Sequence, residues 1–187
     1  MARYHGSRCS CVEHDTSEFD KRVSVLKPPT ADDVINHSAF CTSFQLDQID
    51  GSVGKLTLRD FVSGLDKKIG LYLLWRDEEH CTEHGHYFVR AIYVGKGKAL
   101  DRVLSHAKKK LRKDELIWVS FYECENFIAK FLEQVFLDTY AFELNKNENP
   151  GTQVLYGQWE EDRYLHGTEM HHVSNRRRAP RSLDDLS

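Results

Sequence analysis

Long apolar runs are missing from this chain. No stretch approaches the roughly 18 apolar residues that a membrane-spanning helix needs, so a membrane partner is not expected. Residues 1–15 hold no apolar segment of the kind a cleaved secretory signal carries, and none is expected there. The five cysteines are odd in number and lack the spacing of a disulfide framework. That excludes a disulfide scaffold and favours a reducing, cytoplasmic setting. There is no excess of basic charge: the net charge is −3, which by itself argues against a nucleic-acid partner. There is no internal repeat.

What is present suits a packed domain. The 187 residues are 40% hydrophobic and 29% charged, and ten Phe and eight Tyr supply core and stacking material. The average charge hides an asymmetry. Lys96, Lys98, Arg102, Lys108, Lys109, Lys110, Arg112 and Lys113 fall within one short block whose single acid is Asp101, so the rest of the chain is clearly acidic. A basic patch on an acidic body can hold phosphates at one surface while the remainder repels them. Lys98, Lys108, Lys109, Lys110, Arg112 and Lys113 are therefore candidate nucleic-acid contacts; a solvated helix face is the plainer reading of the same run.

The pattern divides the chain into a poorly ordered arm (1–30), a helical lead-in (31–67), a central domain (68–150) and an extension with a basic, frayed tail (151–187). Thr30 before Asp32 and Asp33 reads as a helix N-cap, and Thr57 with Asp60 resembles a capping box. Residues 46–55, with Asp50, Gly51 and Gly54, read as a loop. In the central domain, 69–75 and 87–94 read as two strands joined by a long polar loop at 77–85. Residues 99–112 read as a helix, 116–122 as a third strand and 126–143 as a second helix. The expected fold class is α+β: a small three-stranded antiparallel sheet flanked by helices.

Several motifs fail on their chemistry. Gly95-Lys96-Gly97-Lys98 lies between a strand and a helix but lacks the glycine spacing and the Ser/Thr of a P-loop. A calcium-loop register over residues 49–60 puts Ile49, Gly51 and Val53 at the first ligand positions, and none has a side-chain oxygen. His5, Cys9, Cys11 and His14 form one zinc-competent cluster, and His80, Cys81, His84 and His86 form another; neither has finger spacing. His171 and His172 have no identifiable partner.

One ordered set carries chemistry. Tyr72 lies in the first strand, Tyr93 ends the second, and Lys96 follows. Arg102 and His106, four apart, share a helix face. Glu133 sits mid-helix among Ala129, Phe136 and Leu137, so its carboxylate needs a cation or a metal. Phosphodiester hydrolysis needs an activated water, charge neutralisation at phosphorus and help for the leaving 3′-oxygen. A single carboxylate can hold Mg²⁺ or Mn²⁺ with several waters. Arg102 can grip non-bridging oxygens, Lys96 can lower the pKa of a nearby tyrosine or water, and His106 can move a proton or bind phosphate.

Gly70-Leu71-Tyr72 and Tyr93-Val94-Gly95, with the continuation through Lys98, Arg102 and His106, resemble the two triplets of the GIY-YIG nucleases, in a branch with a YVGKGK-type second motif. Glu133 resembles the family's metal-binding glutamate, and Leu144-Asn145 its closing element, with Asn147 the less favoured alternative. The resemblance covers about residues 68–150. The tyrosines are 21 apart, longer than the family's usual spacing, with the surplus expected in the His-rich loop. The resemblance implies a metal-dependent endonuclease, acting on DNA with RNA not excluded. In it Tyr72 is the general base or orients the water, Tyr93 hydrogen-bonds within the site, and Asn145 anchors the last loop. The competing expectations are an inactive nucleic-acid-binding module and a zinc-stabilised interaction protein.

Overall fold

Two long runs of β-branched and aromatic residues build the centre of the molecule. In the computed structural model, which describes residues 17–25, 29–38, 40–49, 57–147 and 149–160, they form β2 (Ile69–Cys81) and β3 (His86–Lys98), paired antiparallel. Around them lie α1 (Ser17–Val25), α2 (Ala31–Asn36), β1 (Phe40–Gln45), α3 (Leu58–Phe61), α4 (Ala99–Lys110), β4 (Leu116–Glu123), α5 (Asn126–Thr139) and β5 (Tyr156–Glu160). The five strands are antiparallel in the order β1-β4-β2-β3-β5.

The class is α+β, but the sheet has five strands where the sequence suggested three. Each flank contributes one edge. β1, in a stretch read as helical lead-in, pairs with β4, and β5, in the extension, pairs with β3 over His86–Arg90. Both are short, and their strand character comes from the edge they meet more than from local propensity. The supposed loop at 77–85 is also mostly strand. Its polar residues pair with β3 across a second register shift, where Asp77 opposes Val89 and Glu79 opposes Phe88, and Arg90 Nε donates to Glu78 Oε1 at 2.6 Å across the hairpin. Gly85, at φ +60°, lies in the turn. The surplus between the two tyrosines is thus a longer hairpin.

Both expected caps form. Asp33 N donates to Thr30 Oγ1 at 3.1 Å while Thr30 N donates to Asp33 Oδ2 at 2.9 Å, and Thr57 with Asp60 repeats the box on α3. The Thr30 and Thr57 hydroxyls, donating to Asp33 and Asp60 at 2.7 and 2.6 Å, and then the backbone N–H groups of the same threonines hold both carboxyls below the usual carboxylate range. The helix over 99–112 ends at Lys110, and that over 126–143 ends at Thr139.

The sheet buries both faces. Leu71, Leu73, Trp75, Val89, Ala91 and Val94 pack under α2 and α5 against Ile35, Leu132 and Phe136. Tyr72, Leu74, Ile92 and Tyr93 pack on the other face against Val103 and Ala107 of α4, with Phe44 of β1 and Leu65. Ala91 and Ile92 alternate as strand residues do, and so do Tyr93 and Val94, whereas Ile92 and Tyr93 are neighbours on one face. The register explains this. Leu74 opposes Tyr93 but Trp75 opposes Ala91, so Ile92 is the extra residue of a β-bulge. Without the bulge Tyr93 would turn to the face away from Tyr72. Among the described residues no helix is long and apolar enough to cross a membrane.

Candidate active site

The bulge brings Tyr72 and Tyr93 together, with ring centroids 5.9 Å apart. Gly95 makes room for both. A Cβ there would lie 2.5 Å from Tyr72 Oη and 2.8 Å from Tyr93 Cε1, closer than any carbon tolerates. The second triplet therefore ends in glycine for a steric reason. Tyr72 is fully buried; its hydroxyl meets no partner in strict hydrogen-bond geometry among the described residues, although the Tyr93 hydroxyl is close enough to act on its ionisation. Burial, followed by the charge of Tyr93, raises its pKa far above the ordinary phenol value, and Arg102 opposes that rise. Tyr72 is therefore protonated at neutral pH.

Tyr93 Oη lies 2.9 Å from His106 Nε2, and the two rings are 4.5 Å apart. Burial first, then the charges of Lys110, Arg102 and Lys109, lower the His106 pKa to about 4. The imidazole is therefore neutral, and its Nε2 can accept the Tyr93 proton. Lys110 lies one turn beyond His106. Its ammonium sits 4.5 Å from the Tyr93 ring centroid and donates to the Leu144 carbonyl at 3.0 Å.

Lys96 points to the α5 face and forms an ion pair with Glu133, whose side chain is only 15% exposed. The two faces of the sheet meet here because the outer edge of β3 is open at this end. β5 stops at Arg90. Beyond it, Ala91 N donates to Leu155 O at 2.9 Å, and Leu144 N to Ile92 O at 2.9 Å. Asn145 then grips Val94 twice, accepting from its N–H at 3.0 Å and donating to its carbonyl at 2.9 Å. Past Val94 no described residue hydrogen-bonds to that edge. Glu133 and Arg102 consequently act on both tyrosines electrostatically, from α5 and α4.

All seven sequence candidates thus belong to one region. Tyr72, Tyr93, Lys96, Arg102, His106 and Glu133 converge, and Asn145 braces the strand behind them. Arg102 is exposed and in no ion pair among the described residues. Glu133 takes the Lys96 ammonium, and the cation that acts on the tyrosines is Arg102.

The basic run is not uniform. Lys98, Lys108, Lys109 and Lys113 are exposed, whereas Lys110 turns inward. Arg112 faces Asp114 at 3.4 Å and Glu115 at 3.6 Å, so part of its charge is already met. The i+4 spacing from His106 was the signal for Lys110. The bulge at Ile92 had none.

A single carboxylate, once Lys96 leaves it, fits an ion that keeps most of its waters, as Mg²⁺ and Mn²⁺ do, and does not fit an ion that needs a full protein cage. No group of three or more metal-competent side chains occurs among the described residues. In the hairpin cluster, Cys81 Sγ contacts His84 Nδ1 at 3.1 Å, His80 stacks on Tyr87 at 4.1 Å and His86 Nδ1 contacts Gln158 at 2.6 Å. Cys81 and His84 thus meet each other, while His80 and His86 are held by other partners. His5, Cys9, Cys11 and His14 lie outside the described residues, as do His171 and His172.

Comparison of the chain with protein-family models, with curated proteins and with solved structures gives no match.

Proposed function

We propose that the protein is a metal-dependent endonuclease of the GIY-YIG type that hydrolyses phosphodiester bonds, with DNA as its substrate. The observation that carries this reading is the convergence of Tyr72, Tyr93, Lys96, Arg102, His106 and Glu133 from β2, β3, α4 and α5 at an open strand end. Four elements devote a bulge, a glycine and a half-buried ion pair to this arrangement, and a core of the same size could be built without them.

The geometry supports the following roles. Arg102 is the free guanidinium and grips non-bridging phosphate oxygens, a task suited to its planar fork of donors. Tyr72 is protonated and its hydroxyl is out of solvent's reach, so it would act on the attacking water through Tyr93, whose ring centroid lies 5.9 Å away, rather than as a phenolate base. Tyr93 and neutral His106 form the next link, with Nε2 able to receive a proton through the Tyr93 hydroxyl. Glu133 would hold Mg²⁺ or Mn²⁺, which supplies Lewis-acid stabilisation of the leaving 3′-oxygen. Lys96, the present partner of Glu133, would then be released toward the phosphate. Asn145 and Lys110 keep β3 and the Leu144 segment in place behind Tyr93.

A plasmid-nicking assay tests the reading. The parent protein should nick supercoiled DNA with Mg²⁺ and stop with chelator. Glu133→Gln should abolish nicking at any Mg²⁺ concentration while the protein stays folded and binds DNA. A parent protein that never nicks but binds DNA would identify an inactive binding module.

A further inference from the structure

Gly97 adopts φ +96°, a conformation open chiefly to glycine, and leaves a notch at the end of β3. Two polar side chains flank that notch from different elements. A methyl built on Gly97 would lie 3.7 Å from Arg102 Nε of α4 and 3.9 Å from Asn126 Oδ1 of α5. Both side chains are exposed, and neither has a hydrogen bond or ion pair with another described residue. Asn126 is also not the cap of its helix. The N-cap position belongs to Glu125, so the asparagine is the first helical residue, where its type has no local advantage. Asn126 and Glu133 are seven apart on α5 and share its site-facing side. Lys98 follows directly and is exposed.

We propose that the notch over Gly97 seats a backbone phosphate of the nucleic-acid substrate, with Asn126 as a substrate-binding residue opposite Arg102. Rotation of the amide turns Nδ2 toward one non-bridging oxygen, while the guanidinium takes the others. A side chain at residue 97 would fill the seat, which is a second reason for glycine there. The neutral donor fixes the position of the phosphate, and the neighbouring cations supply the charge. This inference rests on the phosphodiester reading of the site and adds to it a residue outside both sequence triplets.

The test measures binding of a fluorescein-labelled DNA duplex to the full chain in chelator, so that no cleavage intervenes. Asn126→Ala should weaken binding about tenfold, the loss of one hydrogen bond to a charged acceptor. It should leave the slope of log K against log salt unchanged, because no cation is lost. Arg102→Ala should flatten that slope by about 0.9. Asn126→Asp is the decisive variant. A carboxylate in the first turn of α5 favours the helix dipole, so the melting temperature should hold or rise. The same charge faces the phosphate, so affinity should fall by at least a further tenfold or so. If both variants bind like the parent, the notch is not a phosphate seat, while the nuclease reading stands. If affinity and melting temperature fall together in both, Asn126 is structural and the inference is overturned. If the parent binds no DNA or RNA, the nuclease reading falls and the inference with it.

Discussion

Gly95 and Tyr72 show how little slack the site has. Gly95→Ala would press a methyl into both tyrosine rings. Overpacking of this kind costs about 1–3 kcal/mol, and here it should also separate the hydroxyls, so a chemical melt and a nicking assay should both register it. Tyr72→Phe should split the two readouts. It removes a buried hydroxyl that meets no partner in strict hydrogen-bond geometry among the described residues, so stability should hold, or rise by up to about 1–3 kcal/mol. The single-turnover rate should nevertheless fall on the order of a hundredfold or more, the size of a general acid–base contribution. Parental cleavage by Tyr72→Phe would reduce the resemblance to one of fold. His106 makes a pH statement. Its folded pKa of about 4 lies below the ordinary 6.5, so the folded state prefers the neutral ring. Between those values the unfolded chain binds more protons, and stability falls as pH drops through the window. Urea midpoints of the parent should therefore decline relative to His106→Gln from pH 6.5 to pH 4, and the two should run parallel above it.

At the scale of elements, α4 carries two jobs on one basic surface. Lys109 shares the face of Arg102 and His106, whereas Lys110 is turned onto Tyr93 and the Leu144 carbonyl. Neutralising Lys108 and Lys109 should weaken binding to all DNA sequences alike and flatten the salt slope by up to about 0.9 for each phosphate left without its cation. An unchanged slope would make those two lysines a solvated face. Lys110→Met should leave the slope nearly untouched and disturb Tyr93 and the loop behind it, which would appear as a lower melting temperature and a slower single-turnover rate. The hairpin of β2 and β3 works at the same scale. Its bulge decides which face Tyr93 occupies, and its long arm gives β5 an edge to join.

Across the whole molecule, the residues that resemble a nuclease do not make a complete core. Val34, Ile35 and Phe44 come from before the central domain and Leu155 from after it, and all are buried. Leu155→Ala lies outside every candidate role, yet it should cost about 2–5 kcal/mol as a buried truncation. A urea melt checks this. A loss under about 1 kcal/mol would mean that the extension is dispensable to the fold.

Much of this protein is determined locally. The apolar runs of β2, β3 and β4, the α4 and α5 periodicities, and the Thr30 and Thr57 caps each rest on interactions within a few residues, so the sequence alone locates them. The candidate set from Tyr72 to Asn145 is named by residue type and order, through its resemblance to the GIY-YIG triplets. Tertiary contact decided the rest. β1 and β5 become strands because a free edge meets them. Polar residues 77–81 join the hairpin because partners across it satisfy their backbone. Lys96 is claimed by Glu133 and Lys110 by Tyr93, although both read as free cations in the chain. The Tyr72–Tyr93 pairing depends on one bulged residue, since a shift of one position in a strand reverses the face of every side chain beyond it, and no local signal in the sequence marks where that shift occurs.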